Sequence, residues 1–156
     1  MLLQFVVENF LSFRDAATLS LLAAEDVEHA PGQLLSGPEG RDVLRCAAIY
    51  GANASGKSNL ARAIEIAQDL ILRGTRSGKP IKRSPFKLDP TRLDAPSRFE
   101  LEVGAAEHRY SYGFAVTDTE VQAEWLFISE GDSERLLFER EATSPAGQST
   151  IRIGEA

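Results

Sequence analysis

One short stretch constrains the fold of this chain more than any other: residues 51–58, Gly-Ala-Asn-Ala-Ser-Gly-Lys-Ser, which lie between two apolar patterns. The run before it, "VLRCAAIY" at 43–50, is apolar apart from Arg45 and is typical of a strand covered on both faces, as in a central parallel sheet. Apolar side chains then recur at helical spacing, at Leu60, Ile64, Ala67 and Ile71, joined by Ala63 and Leu70. These patterns predict a strand, a loop and a helix over about 57–73 that ends at Gly74.

The loop matches the pattern G-x-x-x-x-G-K-[ST], in which each fixed position has a physical reason. Gly51 and Gly56 permit backbone angles that side chains forbid, so that backbone amides point inward as a nest for phosphate oxygens. Lys57 is expected to reach the β- and γ-phosphates, and Ser58 to offer its hydroxyl to Mg²⁺ as the metal-site residue. The predicted binding residues are Gly51, Asn53, Ala54, Ser55, Gly56, Lys57, Ser58 and Asn59. The alternative is a glycine turn before a helix with an incidental lysine.

The rest of the chain changes from helical to strand periodicity. Residues 2–8 and 17–23 predict two strands of a hairpin, and residues 25–42 are polar with Gly and Pro and predict a loop. From 98 to 141, four segments with period-two aromatic and aliphatic residues, separated by turn residues, predict an antiparallel meander. We interpret its aromatic residues as a core face rather than as a platform for stacking bases.

The charge is distributed unevenly, although the net charge is −6. Residues 75–97 are predicted to be a basic, flexible loop, and six cations without an acidic residue between them lie at Arg73, Arg76, Lys79, Lys82, Arg83 and Lys87. This segment is a candidate contact for a nucleic-acid backbone; the alternative is a solvated loop that balances an acidic surface. The single cysteine, Cys46, is expected to be a buried core thiol. We expect no membrane span and no signal peptide, and hence a cytoplasmic protein.

The residues "GANASGKSN" and the opening "FVVENFLSFRD" resemble the ABC-type ATPases of the SMC and RecF kind. The order of these motifs with "PFKL", "FELEV", "YSYGF" and "EWLF" is similar to bacterial AAA-family ATPases of the abortive-infection and overcoming-lysogenization-defect type. The resemblance implies an α/β P-loop NTPase core with an antiparallel β subdomain, with ATP and Mg²⁺ as ligands. It also implies that residues 9–14 lie near the nucleotide, with Asn9, Ser12 and Arg14 as secondary candidates. Many relatives carry a basic residue where Leu11 stands.

The resemblance further implies that residues 1–156 are the N-terminal lobe of a larger ATPase domain. Its parts are a strand pair, P-loop and helix at 1–74, the basic loop at 75–97 and the meander at 98–141, without the C-terminal lobe. No acidic strand motif, signature loop or γ-phosphate sensor is assignable in the sequence, and no catalytic residue is therefore predicted. We expect Mg-ATP binding without turnover by this chain alone, and a homodimer of the full protein across the nucleotide, in a nucleic-acid-associated or phage-defence machine.

Two other classes share the loop. An energy-coupling ATPase of a membrane transporter usually carries Ser-Thr after the lysine, whereas Ser58 and Asn59 stand here. A small P-loop kinase needs parallel strands after the helix, which the predicted meander disfavours. The preference for ATP over GTP follows from the family resemblance alone.

Overall fold

The computed structural model describes residues 1–24, 32–76, 78–131, 133–143 and 148–154. Its regular elements are nine strands, one α-helix and two short 3-10 helices at Pro38–Gly40 and Pro90–Arg92. The elements are β1 (Leu2–Glu8), β2 (Ala17–Ser20), β3 (Leu34–Ser36), β4 (Asp42–Leu44), α1 (Lys57–Arg73), β5 (Ser97–Ala105), β6 (His108–Val116), β7 (Val121–Glu130), β8 (Ser133–Ala142) and β9 (Ser149–Ile153).

Seven strands form one sheet in the order β2-β1-β5-β6-β7-β8-β9, and every neighbouring pair is antiparallel. The predicted first strand, the hairpin with its partner and the meander are confirmed. The second strand is shorter than predicted, and β9 was not predicted. The meander also confirms that the helix is followed by antiparallel rather than parallel strands, against the expectation for a small kinase.

The core lies between one face of this sheet and α1. Phe5 and Val7 from β1 are fully buried beside Phe99 and Phe114, and the rings of Phe99 and Phe114 are stacked with centroids 5.4 Å apart. The helix buries Ala63 and Ala67 against this cluster and packs Leu60, Ile64, Ile66 and Leu70 around it. The predicted helix bounds are confirmed, and the backbone N–H of Gly74 caps its end by donating to the carbonyl of Leu70. The predicted apolar face is wrong at Ile71, which is 41% exposed.

The aromatic residues of the meander divide between the two faces of the sheet. Tyr112 and Phe114 face the core, as predicted. Trp125 pairs with Gly113, and a Cβ atom on Gly113 would collide with the indole ring, so Trp125 covers the opposite face. The guanidinium of Arg98 lies 4.6 Å from the centroid of that ring. A register shift between Ala115 and Val116 explains why Trp125 does not share the core face with Val121. One extra residue in β7 reverses the face on which the side chains beyond it lie.

Two predictions before the helix are wrong. Within the predicted loop at 25–42, β3 and the start of β4 form a second, two-stranded sheet, while residues 25–31 lie outside the described residues. The predicted parallel strand at 43–50 ends at Leu44, and Cys46 is exposed rather than buried. Ile49 and Tyr50 are 49% and 89% exposed, because among the described residues no strand pairs with this segment.

The segment at 75–97, predicted as a flexible loop, is tied to the fold at several points. The backbone N–H of Ile81 donates to the carbonyl of Asp118, and Ile81 itself is 7% exposed. The Arg83 side chain is only 2% exposed and donates to Asp118 and to the carbonyls of Leu93 and Ala95. This arginine is therefore part of the interior, and the surface of the segment has one cation fewer than the sequence suggests.

Candidate functional site

The loop at 51–56 joins the exposed residues 46–50 to the first turn of α1. Its backbone enters the left-handed region twice, at Ala54 with φ 63° and at Gly56 with φ 96°. Only the second of these positions carries the glycine that such angles favour. Gly56 is the N-cap of α1, and no side chain caps the helix there. The first-turn amides and the positive end of the helix dipole therefore face the loop, which is the arrangement that attracts anions.

The ammonium of Lys57 lies across this loop. Its Nζ donates to the carbonyl oxygens of Gly51 at 2.8 Å and Ala52 at 2.7 Å, and to the hydroxyl of Ser55 at 3.3 Å. The Ser55 hydroxyl lies 2.6 Å from the place where a Cβ atom on residue 51 would stand, so a larger residue than Gly51 would displace that hydroxyl. All three acceptors are neutral, and the loop therefore retains the full positive charge of the lysine.

The other predicted loop residues differ in their surroundings. Asn53, Ala54 and Ser58 are exposed, so the Ser58 hydroxyl is accessible at the start of α1. Asn59 is half-buried, and its Nδ2 donates to the hydroxyl of Ser12 at 3.0 Å. The structure thus brings residues 51–58 together around one concave backbone, while Asn59 contacts the N-terminal turn instead. Among the described residues, no group of three or more His, Cys, Asp or Glu side chains is arranged to hold a metal ion.

A protein family described as "AAA domain, putative AbiEii toxin, Type IV TA system" matches residues 46–155, which include the loop, the helix and the meander. The chain belongs to this family. It is therefore an AAA-type domain, and domains of this type are nucleotide-binding ATPase domains. No curated protein and no solved structure matches the chain. In the described part of this AAA domain, no helix combines the length and the apolar character that a membrane crossing requires.

Asn9, a secondary candidate from the sequence, is an internal residue of the AAA domain. It is fully buried, and its Nδ2 lies 2.8 Å from the carbonyl oxygen of Arg92 and 2.9 Å from that of Ala95. Its Oδ1 accepts the backbone N–H of Phe86 at 3.0 Å. The amide is thus used in holding the segment before β5, and the structure places this side chain inside the fold rather than at the loop.

Arg14, another secondary candidate, is paired with two acidic side chains. Its guanidinium lies 3.0 Å from Asp89 and 3.5 Å from Asp15. Hydrogen bonds from the hydroxyl and backbone N–H of Thr91, followed by the bond from Arg14, lower the pKa of Asp89 to about 2. Both partners of this guanidinium lie outside the loop, whereas Ser12 of the same turn lies beside Gly56 and Asn59.

The six cations of residues 73–87 differ in their partners and in their exposure. Arg73 pairs with Asp69 at 3.0 Å, and Arg83 is internal. A groove of about 350 Å³ at the end of α1 is lined by several of the others, together with Arg73. Its cationic residues are Arg73, Arg76, Lys79 and Lys82. Lys87 is exposed but does not line this groove.

Sequence reasoning missed the contacts that fix the N-terminal turn. The turn is closed by two backbone hydrogen bonds between Phe10 and Phe13, both 2.9 Å, and the N–H of Leu11 donates to the carbonyl of Ser84 at 2.7 Å. Leu11 adopts a positive φ of 50°, which is unusual for a leucine. No composition signal marks Ser84, because its contribution is a main-chain carbonyl, which every residue possesses.

Proposed function

We propose that this AAA domain binds Mg-ATP through residues 51–58 and is the N-terminal ATP-binding lobe of an ABC/SMC-like ATPase. The observation that carries the proposal is the lysine ammonium lying across an uncapped helix N-terminus whose last loop residue, Gly56, is left-handed. Lys57 would exchange its carbonyl acceptors for phosphate oxygens, which are charged and bind a cation more strongly. Ser58, exposed beside it, would ligate Mg²⁺, which neutralises charge on the phosphates.

Titration calorimetry of the 156-residue chain with Mg-ATP tests this proposal. Replacing Lys57 with alanine removes a charge-assisted contact worth about 2–3 kcal/mol, so we expect the affinity to fall about a hundredfold. Lys87→Ala is the matched control, because this lysine is exposed and lies outside the loop. Equal affinity of Lys57→Ala and the unaltered chain would refute the proposal.

We infer that a further polypeptide segment, the C-terminal lobe of the full ATPase, covers residues 46–50. The support is a mismatch: this apolar run has the composition of a strand buried on both faces, yet Cys46, Ile49 and Tyr50 are exposed. That lobe would also supply the groups that polarise the attacking water, and a second copy would close over the nucleotide. Steady-state ATP hydrolysis by the purified chain, abolished by Lys57→Ala, would contradict this division of labour.

The family description includes the words "putative AbiEii toxin, Type IV TA system", and this supports a place for the domain in a toxin–antitoxin or phage-defence machine. The groove at the end of α1 supports a nucleic-acid contact, because four cations and only one acidic residue, Asp69, line it. Removing one cation that touches a phosphate should reduce the salt dependence of DNA affinity by about one unit of slope. We therefore expect Lys79→Ser with Lys82→Ser to reduce the slope by about two, and Lys87→Ser to leave it unchanged. No DNA binding at low salt would exclude the interaction.

A further inference from the structure

The hydroxyl of Ser12 has a fixed position beside the loop. The turn that carries it is closed by the paired bonds between Phe10 and Phe13 and is anchored through Leu11 to the carbonyl of Ser84. The Ser12 Oγ lies 2.9 Å from the place where a Cβ atom on Gly56 would stand. The φ of 96° favours glycine at position 56, and a Cβ atom there would also displace the Ser12 hydroxyl.

The hydrogen bond from Asn59 also fixes the polarity of this hydroxyl. The Asn59 Nδ2 can only donate, so the Ser12 Oγ accepts at 3.0 Å. A serine hydroxyl has one proton and two lone pairs, and accepting the amide leaves the proton free for another partner. Among the described residues no acceptor takes that proton. Ser12 is exposed, and the donor it presents is therefore accessible to a ligand in the loop.

We propose that Ser12 donates its hydroxyl proton to a phosphate oxygen of the bound nucleotide and that Asn59 positions it by holding the opposite side of the oxygen. This inference rests on the proposed function, since it concerns the same phosphate site. It assigns different roles to two residues: Ser12 contacts the ligand, whereas Asn59 acts through Ser12. A neutral donor aimed at a phosphate oxygen adds to the nest of backbone amides without adding a charge.

The first test compares Mg-ATP with inorganic tripolyphosphate by titration calorimetry of the full chain. We expect Ser12→Ala to weaken both ligands about tenfold, because a hydrogen bond to a charged oxygen is lost. A loss confined to Mg-ATP would mean that Ser12 contacts the base or ribose and would overturn the inference. Asn59→Ala should weaken both ligands only about threefold, because the hydroxyl remains but is less well oriented.

The second test reverses the direction of the hydrogen bond between Asn59 and Ser12. An aspartate at position 59 accepts the Ser12 proton and removes the donor, so Asn59→Asp should weaken tripolyphosphate more than about tenfold, which Asn59→Ala does not. The added negative charge also repels phosphate, but it does so whether or not Ser12 is present. In the Ser12→Ala background we therefore expect Asn59→Asp to cost only about threefold, and the double-mutant cycle isolates the difference. An equal cost in both backgrounds would overturn the polarity argument.

These results separate the inference from the proposed function. If Lys57→Ala weakens Mg-ATP while Ser12→Ala changes neither ligand beyond about twofold, the site stands and the inference fails. If Lys57→Ala has no effect either, both fail together. Thermal unfolding of each variant serves as the structural control, and unchanged midpoints are expected because Ser12 is exposed and Asn59 is only half-buried.

Discussion

The seven-stranded sheet and the segment at 46–59 differ in how strongly their side chains are buried and bonded within the chain. In the sheet, Phe5, Val7 and Phe99 are fully buried, and the buried amide of Asn9 has a partner on each of its two polar atoms. In the segment, Tyr50 is 89% exposed, and the helix that follows has no side-chain cap. One region thus holds the buried core, and the other leaves apolar side chains and a helix N-terminus exposed.

This difference implies that stability and ligand binding are separable in this domain. The sheet and α1 bury apolar area whose loss destabilises the folded state, whereas substitutions of the exposed residues at 46–58 remove little buried area. Matched alanine substitutions of aromatic and of amide side chains in the two regions therefore test the comparison directly.

Phe99→Ala against Tyr50→Ala is the strongest test. Phe99 is fully buried, with Phe10 and Phe114 both 5.4 Å away between ring centroids, so its truncation leaves a cavity and should cost about 3–5 kcal/mol of unfolding free energy. Tyr50→Ala should change the unfolding free energy by less than about 0.5 kcal/mol. Urea unfolding followed by circular dichroism measures both values. A large loss from Tyr50→Ala would show that 46–50 is packed in solution and would break the comparison.

Asn9→Ala against Asn53→Ala is the corresponding polar test. Removal of the Asn9 amide leaves the N–H of Phe86 and the carbonyl of Arg92 without their partner, and we expect a loss of about 2–4 kcal/mol. The carbonyl of Ala95 loses one donor but keeps the one from Arg83. The positive φ of 50° at this position adds to the cost, because alanine disfavours it. Asn53→Ala should leave the unfolding midpoint unchanged, because the side chain is exposed. Equal effects would mean that the buried amide contributes nothing beyond a surface asparagine.

The same division explains what the sequence could predict. Strand β1, helix α1 and the meander follow from local periodicity, because in each of them one face is more deeply buried than the other. The loop residues follow from a motif whose spacing is set by backbone geometry. The prediction of a buried strand at 43–50 is wrong because burial depends on neighbouring strands. The residues of this run do not specify which segments provide those strands.

Two further errors and one contact that was not predicted have non-local causes. Arg83 looks like a surface cation in sequence, but its guanidinium satisfies carbonyls of a segment ten or more residues away. Trp125 lies on the face opposite to the core because of a register shift, which the residue types of its own strand do not predict. Asn59 and Ser12 were both predicted near the loop, but their mutual hydrogen bond spans 47 positions and becomes visible only when the turn is folded against α1.

The pKa of Asp89 gives the test with the smallest expected effect. It reports whether Arg14 stays bonded to Asp89 or moves to a ligand in the loop. Bonds from Thr91 and then from Arg14 lower the pKa from 3.8 to about 2. A carboxyl with a lowered pKa stabilises the fold above 3.8, and this contribution is lost as the pH falls through about 2. The stability gap between the unaltered chain and Asp89→Asn should therefore shrink over this window. Carboxyl NMR titration should show that Thr91→Val and Arg14→Gln each raise the pKa of Asp89, and that Mg-ATP leaves it unchanged. A pKa that rises when Mg-ATP is added would mean that Arg14 leaves Asp89 for the nucleotide, and this would move the arginine into the ligand-binding region.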